Sequence, residues 1–193
     1  ETIRIWDVNT GHQLSAIRVN GAVRCLAVVP GGNLIANGPF GELNLWDVQG
    51  RCIRSTGPGE ESITSVSVLY ESVVVAGHQE GTLSLLDTAD EWSVHVRLAK
   101  ARHAHGAAVW ALASLPNKRV VAADGDGVLK VWRADLALGP RALTCLQTLR
   151  GHTRAAFCLA ALPDGRIVSG SMDRTLRFWA PVGTQIDRAP ADV

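Results

Sequence analysis

Short apolar runs separated by turn residues recur along the whole chain. The runs are rich in Val, Ile and Leu and show no helical period over ten residues, so they predict β-strands. Three runs form a unit, and Pro-Gly-Gly, Pro-Asn-Lys or Pro-Asp-Gly marks the first turn in three of the units. The units align in one register and cover residues 22–47, 62–87, 108–133 and 156–180.

The spacing of equivalent positions sets the length of the repeat. Trp46, Leu86, Trp132 and Trp179 occupy one column, spaced by 40, 46 and 47 residues, and Trp6 lies another 40 residues upstream. A more polar run follows each unit and predicts a fourth strand, at 52–55, 93–98, 143–149 and 184–187. Four antiparallel strands in a repeat of this length are typical of a β-propeller blade. The sequence therefore predicts an all-β propeller, with the end of one blade at 1–19 and successive blades at 20–55, 60–98, 105–149 and 152–187.

The last unit resembles a WD repeat. In that family a His after Gly, a Ser or Thr on the second strand, an Asp in the next turn and the Trp form a hydrogen-bonded chain. The resemblance implies this structural role for His152, Ser169, Asp173 and Trp179. Buried polar groups must satisfy one another, so such a chain fixes the turns of a blade. A catalytic Ser-His-Asp triad is the alternative, but the spacing matches the structural network and the Ser would lie inside a blade.

The earlier units keep less of this signature. The third unit has His105, Asp126 and Trp132, with Ala122 at the hydroxyl position, and the first keeps only Trp46. With the half-blade before the first unit, the chain holds about four and a half blades, fewer than the seven that are common in the family. The resemblance thus implies part of a seven-bladed ring, completed by neighbouring blades from the rest of a longer chain. An open arc completed by another chain is the alternative.

Composition narrows the classes of function. Apolar residues make up 47% of the chain and charged residues 19%, which excludes a disordered chain. The formal net charge of +1 gives no long-range field to attract nucleic acid or an anionic membrane, and no apolar run has the ~20 residues of a membrane helix. Cys25 and Cys158 stand in strand patterns that predict burial as free thiols. An intracellular, cytoplasmic location is therefore expected, with the nucleus as an alternative.

The resemblance also implies a surface for partners. Propellers present the loops at one end of the central channel as a platform, and the family's contact positions are carried over by register. They give Arg24, Gln79, Trp110, Phe157 and Met172 as partner-binding residues. The last three come from adjacent units and are expected to form one apolar patch, since large aromatic side chains are common binding anchors. Packing of the channel wall by the two aromatic residues is an equal alternative.

These observations favour a non-catalytic scaffold or adaptor that binds proteins or peptides on the propeller face. The sequence has no phosphate loop, metal-ligand spacing or unassigned acid–base cluster, so we predict no catalytic residue, cofactor, metal or small-molecule substrate. Two alternatives stay open. One is a substrate-recognition or ubiquitin-binding propeller of the ubiquitin pathway. The other is the targeting module of a larger enzyme, such as a kinase, whose catalytic domain lies outside this chain.

Overall fold

The computed structural model of the chain describes residues 1–59, 61–70, 72–87, 97–101, 104–135, 137–138 and 142–180. This part of the chain consists of strands and turns, and none of it forms a helix that could cross a membrane. The strands are β1 (Thr2–Trp6), β2 (Gln13–Arg18), β3 (Leu26–Val28), β4 (Leu34–Asn37), β5 (Leu43–Trp46), β6 (Cys52–Ser55), β7 (Ile63–Tyr70), β8 (Val73–His78), β9 (Leu83–Asp87), β10 (Arg97–Ala101), β11 (Val109–Leu115), β12 (Arg119–Asp124), β13 (Leu129–Ala134), β14 (Leu143–Leu149), β15 (Ala156–Ala161), β16 (Ile167–Ser171) and β17 (Leu176–Trp179).

The strands form five antiparallel sheets that follow one another along the chain. The first sheet pairs β1 with β2, and the fifth contains β15–β17. Between them, the second, third and fourth sheets have four strands each, namely β3–β6, β7–β10 and β11–β14. Within each sheet, strands that are consecutive in sequence pair with each other, because the predicted turn residues reverse the chain after each apolar run. The predicted all-β fold of four-stranded antiparallel sheets is confirmed.

Apolar side chains fill the space between successive sheets. Every residue of β4 and of β8 is buried, because each middle strand has a sheet on both of its faces. Between the third and fourth sheets, for example, Leu83 and Leu85 share one core cluster with Val109 and Val120. The strands β3, β7, β11 and β15 contact one another in succession, whereas peripheral strands such as β14 are mostly exposed. The sheets therefore stack side by side along an arc, with the first strand of each full sheet on the inside.

The two ends of the arc differ from the sheets between them. Among the described residues, the first sheet has two strands and the fifth has three, and no strand of one pairs with a strand of the other. The sheets are thus not closed into a ring, and the total of seven blades stays a prediction. The predicted strand at 184–187 lies outside the described part of the chain. The predicted strand at 93–98 lies partly outside it, and the described strand β10 begins at Arg97.

The cysteines are free thiols, but the predicted burial of Cys158 is wrong. Cys158 is exposed because it lies in the fifth sheet, on a face that no described residue covers. Cys52 and Cys145, on the peripheral strands β6 and β14, are exposed as well. Cys25 is partly buried, and this burial raises the pKa of its thiol to about 11.

Candidate interaction surface

Two aromatic side chains from neighbouring inner strands meet near the start of those strands. Trp110 is the extra residue of a β-bulge in β11, and Phe157 takes the same position in β15. A bulge leaves one residue out of the ladder and redirects its side chain. The ring centroids of Trp110 and Phe157 lie 5.6 Å apart with the planes tilted by 55°, within the favoured range for aromatic pairs. The structure therefore brings together these two sequence-predicted residues.

Met172 extends the aromatic pair toward the turn between β16 and β17. Its amide donates a hydrogen bond of 2.9 Å to the carbonyl oxygen of Ala155, two residues before Phe157. The side chains of Met172 and Phe157 are both 47% exposed, and they line one open groove of about 390 Å³ together with Arg174 and Leu176. We call Trp110, Phe157 and Met172 the rim cluster.

Arg24 and Gln79 both lie beside Ser62. Arg24 is exposed and lines a small polar cavity with Ser62, and the amide of Gln79 donates to the Ser62 carbonyl oxygen at 3.0 Å. The Arg24 backbone is held by Asn37, whose Oδ1 accepts its N–H at 2.7 Å. No hydrogen bond or ring contact among the described residues joins Arg24 or Gln79 to the rim cluster. The predicted partner-binding residues thus comprise an apolar group, the rim cluster, and a polar group beside Ser62.

A buried polar chain links the turns and strands of the fifth sheet. The Trp179 indole N–H donates to Ser169 Oγ at 2.8 Å, and Ser169 Oγ lies 2.7 Å from Nε2 of His152. On the other side of the ring, Nδ1 of His152 lies 2.8 Å from Oδ2 of Asp173. These contacts join all four residues that the resemblance selected in the last unit, and they tie the β16–β17 turn to the segment that leads into β15.

The Asp173 carboxylate fixes which atoms donate and which accept in this hydrogen-bond network. The Thr175 hydroxyl donates to Oδ1 at 2.6 Å, and His152 and the Thr153 amide donate to Oδ2. Together with the Thr175 amide, these donors outweigh burial and hold the pKa of Asp173 well below its usual range. An ionised carboxylate can only accept hydrogen bonds, so the Nδ1–H of His152 donates to Asp173. Nε2 of the same ring then accepts a hydrogen bond from the Ser169 hydroxyl. Each donor in the chain then has an acceptor.

The fourth sheet differs from the sequence prediction in one member. Nδ1 of His105 lies 2.9 Å from Oδ2 of Asp124, so the prediction that Asp126 makes this bond is wrong. Asp124 Oδ1 also accepts the amides of Asp126 and Val128, and one carboxylate thus holds both the imidazole and the turn. Burial raises the pKa of Asp124, but the His105 bond and these amides outweigh it, and the net pKa is lowered.

The hydroxyl of this second network is missing. Ala122 stands where the fifth sheet has Ser169, and both residues are almost completely buried. As a result, Nε2 of His105 and Nε1 of Trp132 are buried and have no hydrogen-bond partner among the described residues. The two rings nevertheless keep the separation seen in the fifth sheet, with centroids 6.2 Å apart against 6.1 Å for His152 and Trp179. The fourth sheet therefore has the imidazole, carboxylate and indole of the network but lacks the hydroxyl that would join the two rings.

The third sheet has a polar network that the sequence reasoning missed. His78 ends β8, and its Nε2 lies 2.8 Å from Ser84 Oγ on β9, while its Nδ1 lies 3.8 Å from Oε2 of Glu61. Here the imidazole comes from the second strand and the hydroxyl from the third. In the last unit the imidazole precedes the first strand and the hydroxyl lies on the second, so the two sets of residues do not align. The signal was the pairing of a lone His with a Ser on the next predicted strand.

These networks support the turns, and their geometry does not suit nucleophilic catalysis. Ser169 is 1% exposed and its oxygen is engaged by both His152 and Trp179, which leaves no approach for a substrate. Ser84 is equally buried. Within the described ranges, no three His, Cys, Asp or Glu side chains come together in a way that could hold a metal ion.

Comparison with known proteins supports this description. Residues 97–133 and 143–180 each match the family model described as WD domain, G-beta repeat. The chain is similar in structure to the computationally designed Ika8 protein, with 24% identity and a TM-score of 0.70 over 92% of this chain and 52% of that one. It is also similar to the computationally designed Ika4 protein, with 23% identity and a TM-score of 0.67 over 86% and 96% of the two chains. The chain thus spans about half of Ika8, and at these identities the likeness concerns the fold. No curated protein sequence matches the chain.

Proposed function

Because the chain belongs to the WD-repeat family, we propose that it is a non-catalytic scaffold that binds a protein or peptide partner at the rim cluster. WD-repeat domains generally bind proteins or peptides. The observation that carries the proposal is the contact between Trp110 and Phe157, which joins two neighbouring sheets at the surface. Aromatic side chains held in place at an exposed site are typical anchors of protein interfaces.

Bulges and hydrogen bonds fix the backbone that carries the rim cluster, which lowers the entropy lost on binding. Two β-bulges fix the backbone of Trp110 and Phe157, and the network through Ser169 fixes the turn that carries Met172. Side chains that are already ordered lose little freedom when a partner covers them. Arg24 and Gln79 would add polar contacts at a second position on the partner. The ubiquitin-pathway role and the attachment to a larger enzyme stay predictions, and no described contact favours either.

The test is selection of peptides from a displayed random library on the 193-residue chain, followed by affinity measurements on variants. We expect enriched peptides to bind wild-type protein and to lose at least tenfold in affinity with Trp110→Ala. The control is Trp6→Ala, because Trp6 is an exposed tryptophan of the first sheet and does not belong to the rim cluster. Trp110→Ala should also lower the melting temperature by only a few degrees, since the indole is partly buried. Enrichment of no peptide, or equal affinity for the Trp110→Ala and Trp6→Ala proteins, would contradict the proposal. Collapse of the fold in Trp110→Ala would identify Trp110 as a core residue instead, in which case Phe157→Ala provides the binding test.

A further inference from the structure

Two asparagines of the second sheet are each followed by glycine, and the two pairs differ in their surroundings. They are Asn20–Gly21, in the segment that leads into β3, and Asn37–Gly38, at the end of β4. Asparagine is a thermolabile residue, and a following glycine favours cyclisation of its side-chain amide because glycine lets the chain bend and does not hinder the backbone nitrogen. Both pairs are therefore chemically able to lose ammonia, and the fold decides which of them does so.

The Asn37–Gly38 pair is held by hydrogen bonds at both reacting groups. Asn37 is 7% exposed, and its Oδ1 accepts the backbone N–H of Arg24 at 2.7 Å. Its Nδ2 donates to the Ala22 carbonyl oxygen at 2.9 Å, and the Gly38 N–H donates to the Glu42 carbonyl oxygen at 2.9 Å. Cyclisation would require the side chain to leave these partners and Gly38 to lose a bonded proton. The folded chain therefore protects this pair.

The Asn20–Gly21 pair has neither restraint. Asn20 is exposed, and neither its side-chain amide nor the Gly21 N–H has a hydrogen-bond partner among the described residues. The equivalent residues of the fourth and fifth sheets, Gly106 and Thr153, are exposed as well, although a sheet of four strands precedes each of them. The exposure of Asn20 is thus a property of its position in the repeat, and it does not depend on the two-stranded first sheet.

The backbone requires glycine at position 21. Gly21 has φ of 92°, a conformation that residues with a side chain rarely adopt. A Cβ at Gly21 would also lie 2.8 Å from the Cβ of Pro39, which is too close for two carbon atoms. A bulkier residue that would hinder cyclisation is therefore excluded, and the reactive pair follows from the geometry of this segment.

We propose that Asn20 is a site of spontaneous covalent modification in the folded chain, by cyclisation with Gly21 followed by hydrolysis. The Gly21 nitrogen loses its proton to a base in solution and bonds to Cγ of Asn20, and the side-chain nitrogen leaves as ammonia. Water then opens the cyclic imide. Hydrolysis at Cγ gives aspartate, and hydrolysis at the backbone carbonyl carbon gives isoaspartate, in which the main chain runs through the former side chain.

Both products change the start of the second sheet. Asn20 and Glu42 line one cavity of about 210 Å³, so either product adds a second carboxylate to its wall. Isoaspartate also adds one methylene to the main chain just before Ala22, whose carbonyl oxygen holds the Asn37 side chain. Because Asn37 in turn holds the backbone of Arg24, isoaspartate at position 20 should loosen the segment that leads into β3.

The first test is peptide mapping by mass spectrometry of the folded 193-residue chain during incubation at pH 8. We expect the amide of Asn20 to convert to the acid at least ten times faster than that of Asn37. The matched control for exposure is Asn117, which is exposed but is followed by Lys118, and it should convert more slowly than Asn20. Conversion of Asn37 or Asn117 as fast as that of Asn20 would overturn the proposal.

The same incubation in urea separates the fold from the local sequence. In the unfolded chain the hydrogen bonds of Asn37 are lost, and we expect Asn20 and Asn37 to convert at similar rates. A tenfold difference that persists in urea would mean that neighbouring residues set the rates, which would contradict the proposed protection by the fold.

The variant Asn20→Thr tests the effect on the second sheet, because the fifth sheet has Thr153 at this position. Incubated wild-type protein should unfold at a lower urea concentration as isoaspartate accumulates, whereas incubated Asn20→Thr should keep its initial midpoint. An equal loss in the two proteins would show that another site is responsible, and a wild-type midpoint that stays constant while isoaspartate forms would overturn the proposed loosening.

Discussion

The missing hydroxyl of the fourth sheet gives the sharpest prediction about stability. Ala122→Ser places an oxygen between Nε2 of His105 and Nε1 of Trp132, two buried atoms with no hydrogen-bond partner in the part of the chain that the structure describes. The ring separation matches that of the fifth sheet, where Ser169 makes both bonds. We therefore expect the added hydroxyl to donate to the imidazole and to accept from the indole N–H.

The expected gain follows from the two bonds formed. Each hydrogen bond contributes about 0.5–1.5 kcal/mol net, and burying and ordering one hydroxyl offsets part of that, so Ala122→Ser should stabilise the chain by about 1–2 kcal/mol. The reverse change, Ser169→Ala, leaves His152 and Trp179 without partners and should destabilise it by about 2–4 kcal/mol. In a domain of this size, 1 kcal/mol corresponds to about 2–4 °C in melting temperature.

The assay is urea unfolding, with the free energy of unfolding and its denaturant slope fitted for each protein. The matched control is Ala123→Ser, which puts the same hydroxyl on the opposite face of β12, among apolar side chains of the core between the fourth and fifth sheets. That variant should lose about 1–3 kcal/mol, because its hydroxyl is buried without a partner. Adding Trp132→Phe to Ala122→Ser should remove part of the gain, since phenylalanine has no N–H to donate.

Two results would refute this reasoning. If Ala122→Ser destabilises the chain as much as Ala123→Ser does, the site has no room for the hydroxyl. If Ala122→Ser and Ser169→Ala are both neutral, the buried networks contribute nothing to the stability of the blades.

The remaining predictions concern acid stability, turn geometry and thiol reactivity. The pKa of Asp173 in the folded state lies below its unfolded value of about 3.9. Asp173 therefore stabilises the chain above a pH of about 3.9, and this contribution is lost as the pH falls toward the folded-state pKa. The difference in urea midpoint between the wild type and Asp173→Asn should therefore shrink from pH 6 to pH 2. Gly127→Ala should destabilise the chain more than Gly11→Ala, because both glycines have positive φ but only Gly127 faces the backbone of the next sheet. Cys25 should react with a thiol reagent at pH 8 far more slowly than the exposed Cys145, as mass mapping of the labelled peptides would show, since burial raises the Cys25 pKa to about 11. A wider gap at low pH, equal glycine effects or equal thiol rates would each contradict the corresponding prediction.

The strands and the last polar network could be read from the sequence because their determinants are local. Turn residues and apolar runs recur at fixed spacing, and the four network residues of the last unit stand in the expected columns. The proximity of Trp110 and Phe157 also follows from register alone, since equivalent positions on adjacent inner strands are neighbours.

Other features depend on contacts that spacing does not encode. Asp124 and Asp126 both flank Gly125, and only the backbone path of the turn decides that Asp124 reaches His105. In the last unit the imidazole precedes the first strand and the hydroxyl lies on the second. His78 lies on the second strand and Ser84 on the third, so a comparison of aligned positions does not find them. Cys158 has the sequence pattern of a buried position, but its exposure depends on whether another sheet packs against its own.

The most direct test of the proposed binding surface is a photo-crosslinking measurement. A photoreactive phenylalanine analogue replaces Phe157 in one protein and Leu146 in a control, and each is irradiated with a peptide selected on the wild-type chain. We expect a covalent peptide adduct with the analogue at position 157 and little or none at position 146. Equal adducts at the two positions, or an adduct only at position 146, would contradict the claim that the rim cluster binds the partner.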